Sequence, residues 1–153
     1  MAGTIDARLA ELGLTLPDAP APAANYVPFV RAGDLLFVSG QISQGPAGLI
    51  KGRLGETMDV AEGAEAARRC GLSLIAQARA ALGDLDRVVR VVKLTGFVNS
   101  TPDFTDQPKV INGCSDLMVA VFGEAGRHAR AAVSAPALPL GVAVEIEAVF
   151  QVA

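Results

Sequence analysis

The sequence predicts an α+β domain in which two long helices cover one face of a mixed β-sheet. Two observations support this prediction. Apolar residues recur at helical spacing in two long segments, and β-branched runs lie before, between and after those segments. Helices that pack on one face of a sheet bury the apolar sides of both elements. The length of 153 residues fits one such domain.

The first 25 residues are predicted to be an extension that precedes the main domain, residues 26–153. A short helix is expected over residues 4–12, capped by Thr4 and stopped by Gly13. Three prolines fall within residues 16–22, and they favour an extended linker over a continuing helix.

The next zone predicts a pair of strands, a loop and a long helix. The strands are expected over residues 26–30 and 35–39, with a turn at residues 32–34. The Gly-rich stretch 41–57 is predicted to be a loop with one short strand. A helix then begins at a capping box made by Asp59 and Glu62 and ends before Gly83.

The remaining zone predicts a strand, a second long helix and two further strands. The first strand spans residues 87–99, and the last two span residues 129–134 and 142–151. The helix is expected to start near Gln107, with Thr105 or Asp106 as its cap, and to end by Gly126. Its expected buried stripe comprises Val110, Leu117, Val121 and Phe122.

The last strand has strict period-two alternation. Val144, Ile146 and Phe150 share one face, whereas Glu145 and Glu147 share the other. Carboxylates in a strand otherwise suited to burial need partners if a second subunit covers that face. The sequence therefore favours a homo-oligomer.

Charge and composition exclude several classes of function. The formal net charge is −3 and no run of Lys and Arg exceeds the pair Arg68-Arg69, so a broad nucleic-acid footprint is not expected. No apolar segment is long enough to span a membrane and the N-terminus does not resemble a signal peptide, which predicts a cytoplasmic protein. Cys70 and Cys114 are expected to be reduced thiols packed on helices.

Few residues could carry chemistry. His128 is the only histidine, so one chain cannot form a multi-histidine metal site, and we interpret it as an ordinary surface or strand-edge residue. Arg130 stands alone in an alanine-rich strand, and its guanidinium suits a carboxylate ligand. Glu145 is expected on a neighbouring strand. From the pattern alone, the favoured interpretation is an ordinary Arg130–Glu145 ion pair or two unrelated charges at the rim of the sheet.

Four motifs occur in order along the chain: residues 37–41 (FVSGQ), residues 92–98 (VKLTGFV), residues 129–133 (ARAAV), and Leu138-Pro139 followed by residues 144–148 (VEIEA). Together they resemble the RidA/YjgF family, also called endoribonuclease L-PSP-like, over residues 26–152. The extension and the long 41–57 loop resemble a distinct subgroup. The resemblance implies a chorismate-mutase-like fold and a homotrimer with sites between subunits.

The resemblance also implies hydrolysis of reactive 2-imino or enamine acids, such as 2-iminopropanoate and 2-iminobutanoate, to 2-keto acids and ammonia. Arg130 matches the carboxylate-binding arginine, and Glu145 matches the glutamate that positions the attacking water. Five further positions match residues that line the substrate: Tyr26, Ser39, Gly40, Asn112 and Ala132. The resemblance implies neither a metal nor an organic cofactor.

The sequence departs from the family pattern at two positions. Ala132 replaces the usual cysteine, and Ala137 replaces an arginine that often precedes Leu-Pro. These departures leave the choice of substrate open. Two other functions also stay open. One is a non-catalytic trimer that binds small carboxylic acids through Arg130 without using Glu145. The other, which the acidic charge disfavours, is an endoribonuclease.

Overall fold

The secondary structure follows the predicted order. The computed structural model describes residues 3–19, residue 21 and residues 24–153. The helices are α1 (Thr4–Glu11), α2 (Val60–Leu82) and α3 (Gln107–Phe122). The strands are β1 (Phe29–Ala32), β2 (Leu35–Ile42), β3 (Gln44–Gly45), β4 (Gly48–Leu49), β5 (Val88–Asn99), β6 (Ala129–Ala135) and β7 (Val144–Val152). Short 3-10 turns span Leu85–Arg87, Gly123–Gly126 and Pro139–Gly141.

The main sheet has the strand order β1-β2-β7-β5-β6. Strands β5 and β6 are parallel, and every other pairing in this sheet is antiparallel. Parallel neighbours need a crossover connection, and α3 supplies it between β5 and β6. Strands β3 and β4 form a separate hairpin. The mixed sheet confirms the predicted α+β class.

Helices α2 and α3 cover one face of the main sheet. Leu94, Ile146 and Phe150 point into this layer and are fully buried. A Cβ added at Gly96 would meet the side chain of Ile111 on α3, and a Cβ at Gly113 would collide with the carbonyl of Ala64 on α2. Glycine therefore lets α3 approach both the sheet and α2 closely.

The start of α2 confirms the predicted capping box. The Asp59 side chain accepts from the Glu62 backbone N–H at 2.8 Å, and Glu62 Oε1 accepts from the Asp59 N–H at 3.2 Å. Gly83 then follows the helix with a φ of 77°, in the left-handed region that favours glycine.

The start of α1 differs from the prediction. Gly3 occupies the N-cap position and has no side chain to cap the helix. Instead, the carboxylate of Asp86 accepts the backbone N–H groups of Thr4 and Ile5, both at 2.8 Å. The prediction that Thr4 caps this helix is therefore wrong, because Asp86, which is distant in sequence, supplies both acceptors. Gly13 ends this segment as predicted, with a φ of 68°.

Several boundaries shift by a few residues. The first strand begins at Phe29 rather than residue 26, and β2 extends to Ile42. The 41–57 loop contains two short strands instead of one. Helix α3 has Asp106 at its N-cap without a side-chain capping bond, and it gives way to a 3-10 turn after Phe122. The predicted linker lies partly outside the described residues.

The predicted buried faces are confirmed. The expected stripe of α3 is buried: Val110, Leu117, Val121 and Phe122. Along β7, buried residues alternate with half-buried or exposed ones, and Glu145 and Glu147 lie on the face away from the helices. Cys70 on α2 and Cys114 on α3 are both buried free thiols. No helix in the described ranges is long and apolar enough to cross a membrane.

Candidate functional site

Glu145 lines a cavity of about 320 Å³ on the face of the sheet away from the helices. The cavity wall collects four of the predicted site residues, Tyr26, Ser39, Gly40 and Glu145. Pro139 and Leu140, from the turn before β7, complete one side. Tyr26 is 54% exposed, so its ring stands at the rim rather than in the core.

A β-bulge brings Ser39 and Gly40 to this cavity. The register between β2 and β7 shifts between Val38 and Gln41, so the two residues between them are displaced from regular pairing. The Ser39 hydroxyl donates to the Val27 carbonyl at 2.8 Å, and the Ser39 N–H donates to the Pro28 carbonyl at 2.9 Å. Ser39 therefore fixes the segment that carries Tyr26.

The cavity changes the ionisation of Glu145. Burial raises the pKa of its carboxyl above the ordinary value of 4.5, and the nearby charge of Glu147 raises it further. Both effects disfavour the negative charge. A carboxylate with a raised pKa accepts a proton more readily in neutral solution, which suits a general base.

Arg130 lies on the edge strand β6, and its side chain turns towards α3. Its Nη1 donates to Ser115 Oγ at 3.1 Å, and its Nη2 donates to the Pro108 carbonyl at 3.3 Å. Because only part of the guanidinium is engaged by these acceptors, further N–H groups can bind a carboxylate.

Arg130 and Glu145 are not brought together within one chain. Strand β5 lies between β6 and β7, so the expectation that the two residues sit on neighbouring strands is wrong. Arg130 pairs in register with buried Leu94, whereas Glu145 pairs with Phe97. Since successive residues of a strand point to opposite faces, the two side chains lie on opposite faces of the sheet. None of the ion pairs among the described residues joins them.

The other two predicted residues lie beside Arg130. Ala132 is two positions further along β6 and therefore faces α3 with it. Asn112 is exposed on α3, between Pro108 and Ser115 on the same side of the helix. The predicted residues thus form two groups, one around Glu145 and one around Arg130.

Sequence reasoning missed Leu140, Ser115 and His128. Leu140 has a φ of 59° and is 68% exposed at the cavity wall, a conformation that is uncommon for a residue other than glycine. His128 directly precedes the edge strand β6, which agrees with its interpretation as a surface or strand-edge residue, but it is half-buried and bonded to Ser115. His128 and Arg130 are two positions apart, and this spacing was the available signal that they share a face.

A second hollow, beside α2, contains none of the predicted site residues. The hollow of about 560 Å³ beside α2 is lined by residues 13–17, Arg68 and Arg69, and both arginines pair with Glu65. No cluster of three or more His, Cys, Asp or Glu side chains that could hold a metal ion occurs in the part of the chain that the structure describes.

The chain matches one family model over residues 6–150, described as "YjgF/chorismate_mutase-like, putative endoribonuclease". It is 53% identical over 151 residues to Protein TCP17 of Trypanosoma cruzi, with 97% of this chain and 94% of that protein covered.

Solved structures of other proteins also resemble this chain. The Agrobacterium tumefaciens protein Atu1372, described as having unknown function, is 48% identical with a TM-score of 0.89, and the match covers 97% of this chain and 94% of that one. RidA from Psychrobacter sp. PAMC 21119 is 29% identical with a TM-score of 0.60, covering 88% of this chain and 94% of that one.

Proposed function

Because the chain belongs to the YjgF/chorismate mutase-like family, we propose that it hydrolyses reactive 2-imino acids to 2-keto acids and ammonia. The observation that carries the proposal is Glu145, a half-buried carboxylate with a raised pKa in the wall of a small cavity. A protonated imine is already electrophilic, so its hydrolysis needs mainly a positioned substrate and a positioned water.

The proposed reaction has two steps. Glu145 accepts a proton from water as the water oxygen bonds to the imine carbon, which gives a carbinolamine. Protonated Glu145 then returns this proton to the nitrogen. The carbon–nitrogen bond breaks as the carbonyl forms, and the hydroxyl proton passes to the departing ammonia, which leaves as ammonium. One water is consumed for each keto acid and ammonia produced, and no oxidant or reductant is needed.

Arg130 is the proposed anchor for the substrate carboxylate. Its unengaged N–H groups supply charge-assisted hydrogen bonds, each worth about 1.5–3 kcal/mol. Ala132 contributes only its backbone, so carboxylate binding does not depend on the thiol that the family usually has at this position.

We also propose that the working form is a homotrimer with sites between subunits. Support comes from the placement of Arg130 and Glu145 on opposite faces of the sheet, because a ligand that touches both needs a second copy. Exposed apolar side chains on the face away from the helices, such as Phe37 and Val133, are suited to burial against that copy.

The test is an imine-trapping assay. An amino-acid oxidase generates the imine, semicarbazide traps it, and the protein competes for it. We expect wild type to lower the trapped signal and Arg130→Ala to raise KM about 10- to 100-fold, as the loss of a charged hydrogen bond implies. Arg127→Ala is the matched control, because Arg127 is exposed and pairs only locally with Glu124 at 3.1 Å.

The same variants separate catalysis from simple binding. If the protein only binds small carboxylic acids, wild type leaves the trapped signal unchanged, and Glu145→Gln binds a keto acid as well as wild type does. An endoribonuclease, which the description of the family model also names, would instead bind RNA with an affinity that falls steeply as salt rises.

A further inference from the structure

His128 and Ser115 form a hydrogen-bonded chain that ends on Arg130. His128 Nδ1 lies 2.6 Å from the Gly126 carbonyl oxygen, and His128 Nε2 lies 2.9 Å from Ser115 Oγ. Arg130 Nη1 lies 3.1 Å from the same Ser115 oxygen. These residues come from β6, from the residues just before it and from α3, so the chain ties the edge strand to the helix.

The chemistry of the groups fixes the direction of each bond. A carbonyl oxygen only accepts, so the Gly126 carbonyl places the ring hydrogen of neutral His128 on Nδ1. Nε2 is then an acceptor, and the Ser115 hydroxyl donates its hydrogen to it. The lone pairs of Ser115 Oγ remain for Arg130, which can only donate.

We propose that Ser115 and His128 are positioning residues that hold the Arg130 guanidinium in the orientation that binds the substrate carboxylate. This inference rests on the proposed function, because it assigns Arg130 the role of anchor. An arginine on an edge strand has many rotamers, and ordering it on binding costs free energy. Ser115 and the Pro108 carbonyl hold the guanidinium by Nη1 and Nη2 before the ligand arrives.

A serine bonded to a histidine is also the arrangement of an activated nucleophile. Two features favour positioning instead. The Ser115 oxygen already accepts a bond from Arg130, which occupies a lone pair that an attacking nucleophile would use. His128 is oriented by a neutral backbone carbonyl, which stabilises a protonated ring less than a carboxylate does.

The test compares Ser115→Ala, Ser115→Thr, His128→Ala and Arg130→Ala with wild type. Kinetics come from the imine-trapping assay, and binding comes from calorimetric titration with 2-oxobutanoate, the keto acid of the proposed reaction. Ser134→Ala is the matched control, since Ser134 also lies on β6 and its hydroxyl bonds Ser100 Oγ at 2.7 Å.

Positioning predicts that Ser115→Ala and His128→Ala raise KM and the 2-oxobutanoate Kd about three- to thirtyfold, with kcat within about twofold. Ser115→Thr keeps the hydroxyl and should restore values near wild type. Ser134→Ala should match wild type. Thermal unfolding of each variant separates a loss of affinity from a loss of folded protein.

Three results would overturn the inference. If Ser115→Ala binds 2-oxobutanoate like wild type while Arg130→Ala does not, positioning is wrong and the proposed anchor stands. If kcat collapses in Ser115→Ala and a fluorophosphonate labels Ser115 in wild type, the serine is a nucleophile. If Arg130→Ala itself binds and turns over normally, the anchor fails and the positioning role fails with it.

Discussion

The backbone of Gly40 lies directly against the side chain of Glu145. A Cβ added at Gly40 would be 3.0 Å from Glu145 Oε1 and 3.1 Å from Glu145 Cδ. Because glycine has no side chain, Gly40 leaves room for the Glu145 carboxyl group beside the bulge of β2. A methyl group there would push Glu145 aside without colliding with any backbone.

Gly40→Ala should lower kcat by up to about 10-fold and change stability little, because Glu145 must move by a few tenths of an ångström and a displacement of roughly 1 Å can cost about 100-fold in rate. Steady-state kinetics and thermal unfolding measure the two effects. Gly45→Ala is the matched control, since the nearest atom to a Cβ at Gly45 is 3.8 Å away. Equal activity in both variants would mean that the position of Glu145 is not critical.

The rate should depend on the ionisation of Glu145. Burial and the charge of Glu147 raise the pKa of this carboxyl, so kcat/KM should fall at low pH with a midpoint above 4.5. Glu147→Gln removes the second cause and should move the midpoint to lower pH. Glu56→Gln removes an exposed carboxylate of the 41–57 loop and should leave it in place. If Glu147→Gln leaves the midpoint of the kcat/KM profile unchanged, that result would argue against Glu145 as the base.

The ionisation of Glu145 should also make the stability of the fold depend on pH. The folded-state pKa of Glu145 is raised, so its contribution to stability is complete below about pH 4.5 and is lost as the pH rises through the folded pKa. Glu145→Gln should therefore be more stable than wild type at pH 7, and this advantage should shrink towards pH 4. Thermal unfolding at several pH values measures it; a constant difference would contradict the burial of the charge.

Two impaired variants should restore each other's activity when they share the proposed homotrimer. A trimer that mixes Arg130→Ala with Glu145→Gln can join an intact Arg130 on one subunit to an intact Glu145 on the next. Random mixing of equal amounts by co-refolding should recover about a quarter of wild-type activity. Mixing Arg130→Ala with the double variant should recover none. No recovery in the first mixture would place both groups in one chain.

Asp86 should anchor the N-terminal helix from outside it. Its carboxylate accepts both the Thr4 and Ile5 N–H groups, so Asp86→Ala should cost about 1 kcal/mol and speed hydrogen exchange in α1. Thr4→Ala is the informative control, because Thr4 is exposed and its side chain does not cap the helix. If Thr4→Ala has the larger effect, the local capping interpretation was correct after all.

The sequence predicted most of the fold because its signals are local. The capping box of Asp59 and the alternation through Glu145 each depend on residues within a few positions of one another. The Asp86 cap of α1 joins residues more than eighty positions apart, and no periodicity reports such a contact.

The site was predicted less completely, for a related reason. Consecutive strands β6 and β7 looked adjacent, but β5 pairs with both of them and separates Arg130 from Glu145. Strand order depends on how the whole sheet assembles rather than on the sequence of either strand. The left-handed backbone of Leu140 is likewise invisible, because leucine has no preference for it.

The burial of the two cysteine thiols should make the protein resistant to oxidation. Both cysteines are buried, and burial raises the pKa of Cys70 well above its usual range and that of Cys114 to about 12. Thiolates are the forms that peroxide oxidises, and these thiols are rarely ionised. With alanine at position 132, no thiol stands two positions after Arg130 on β6. The proposed activity should therefore persist in the presence of hydrogen peroxide.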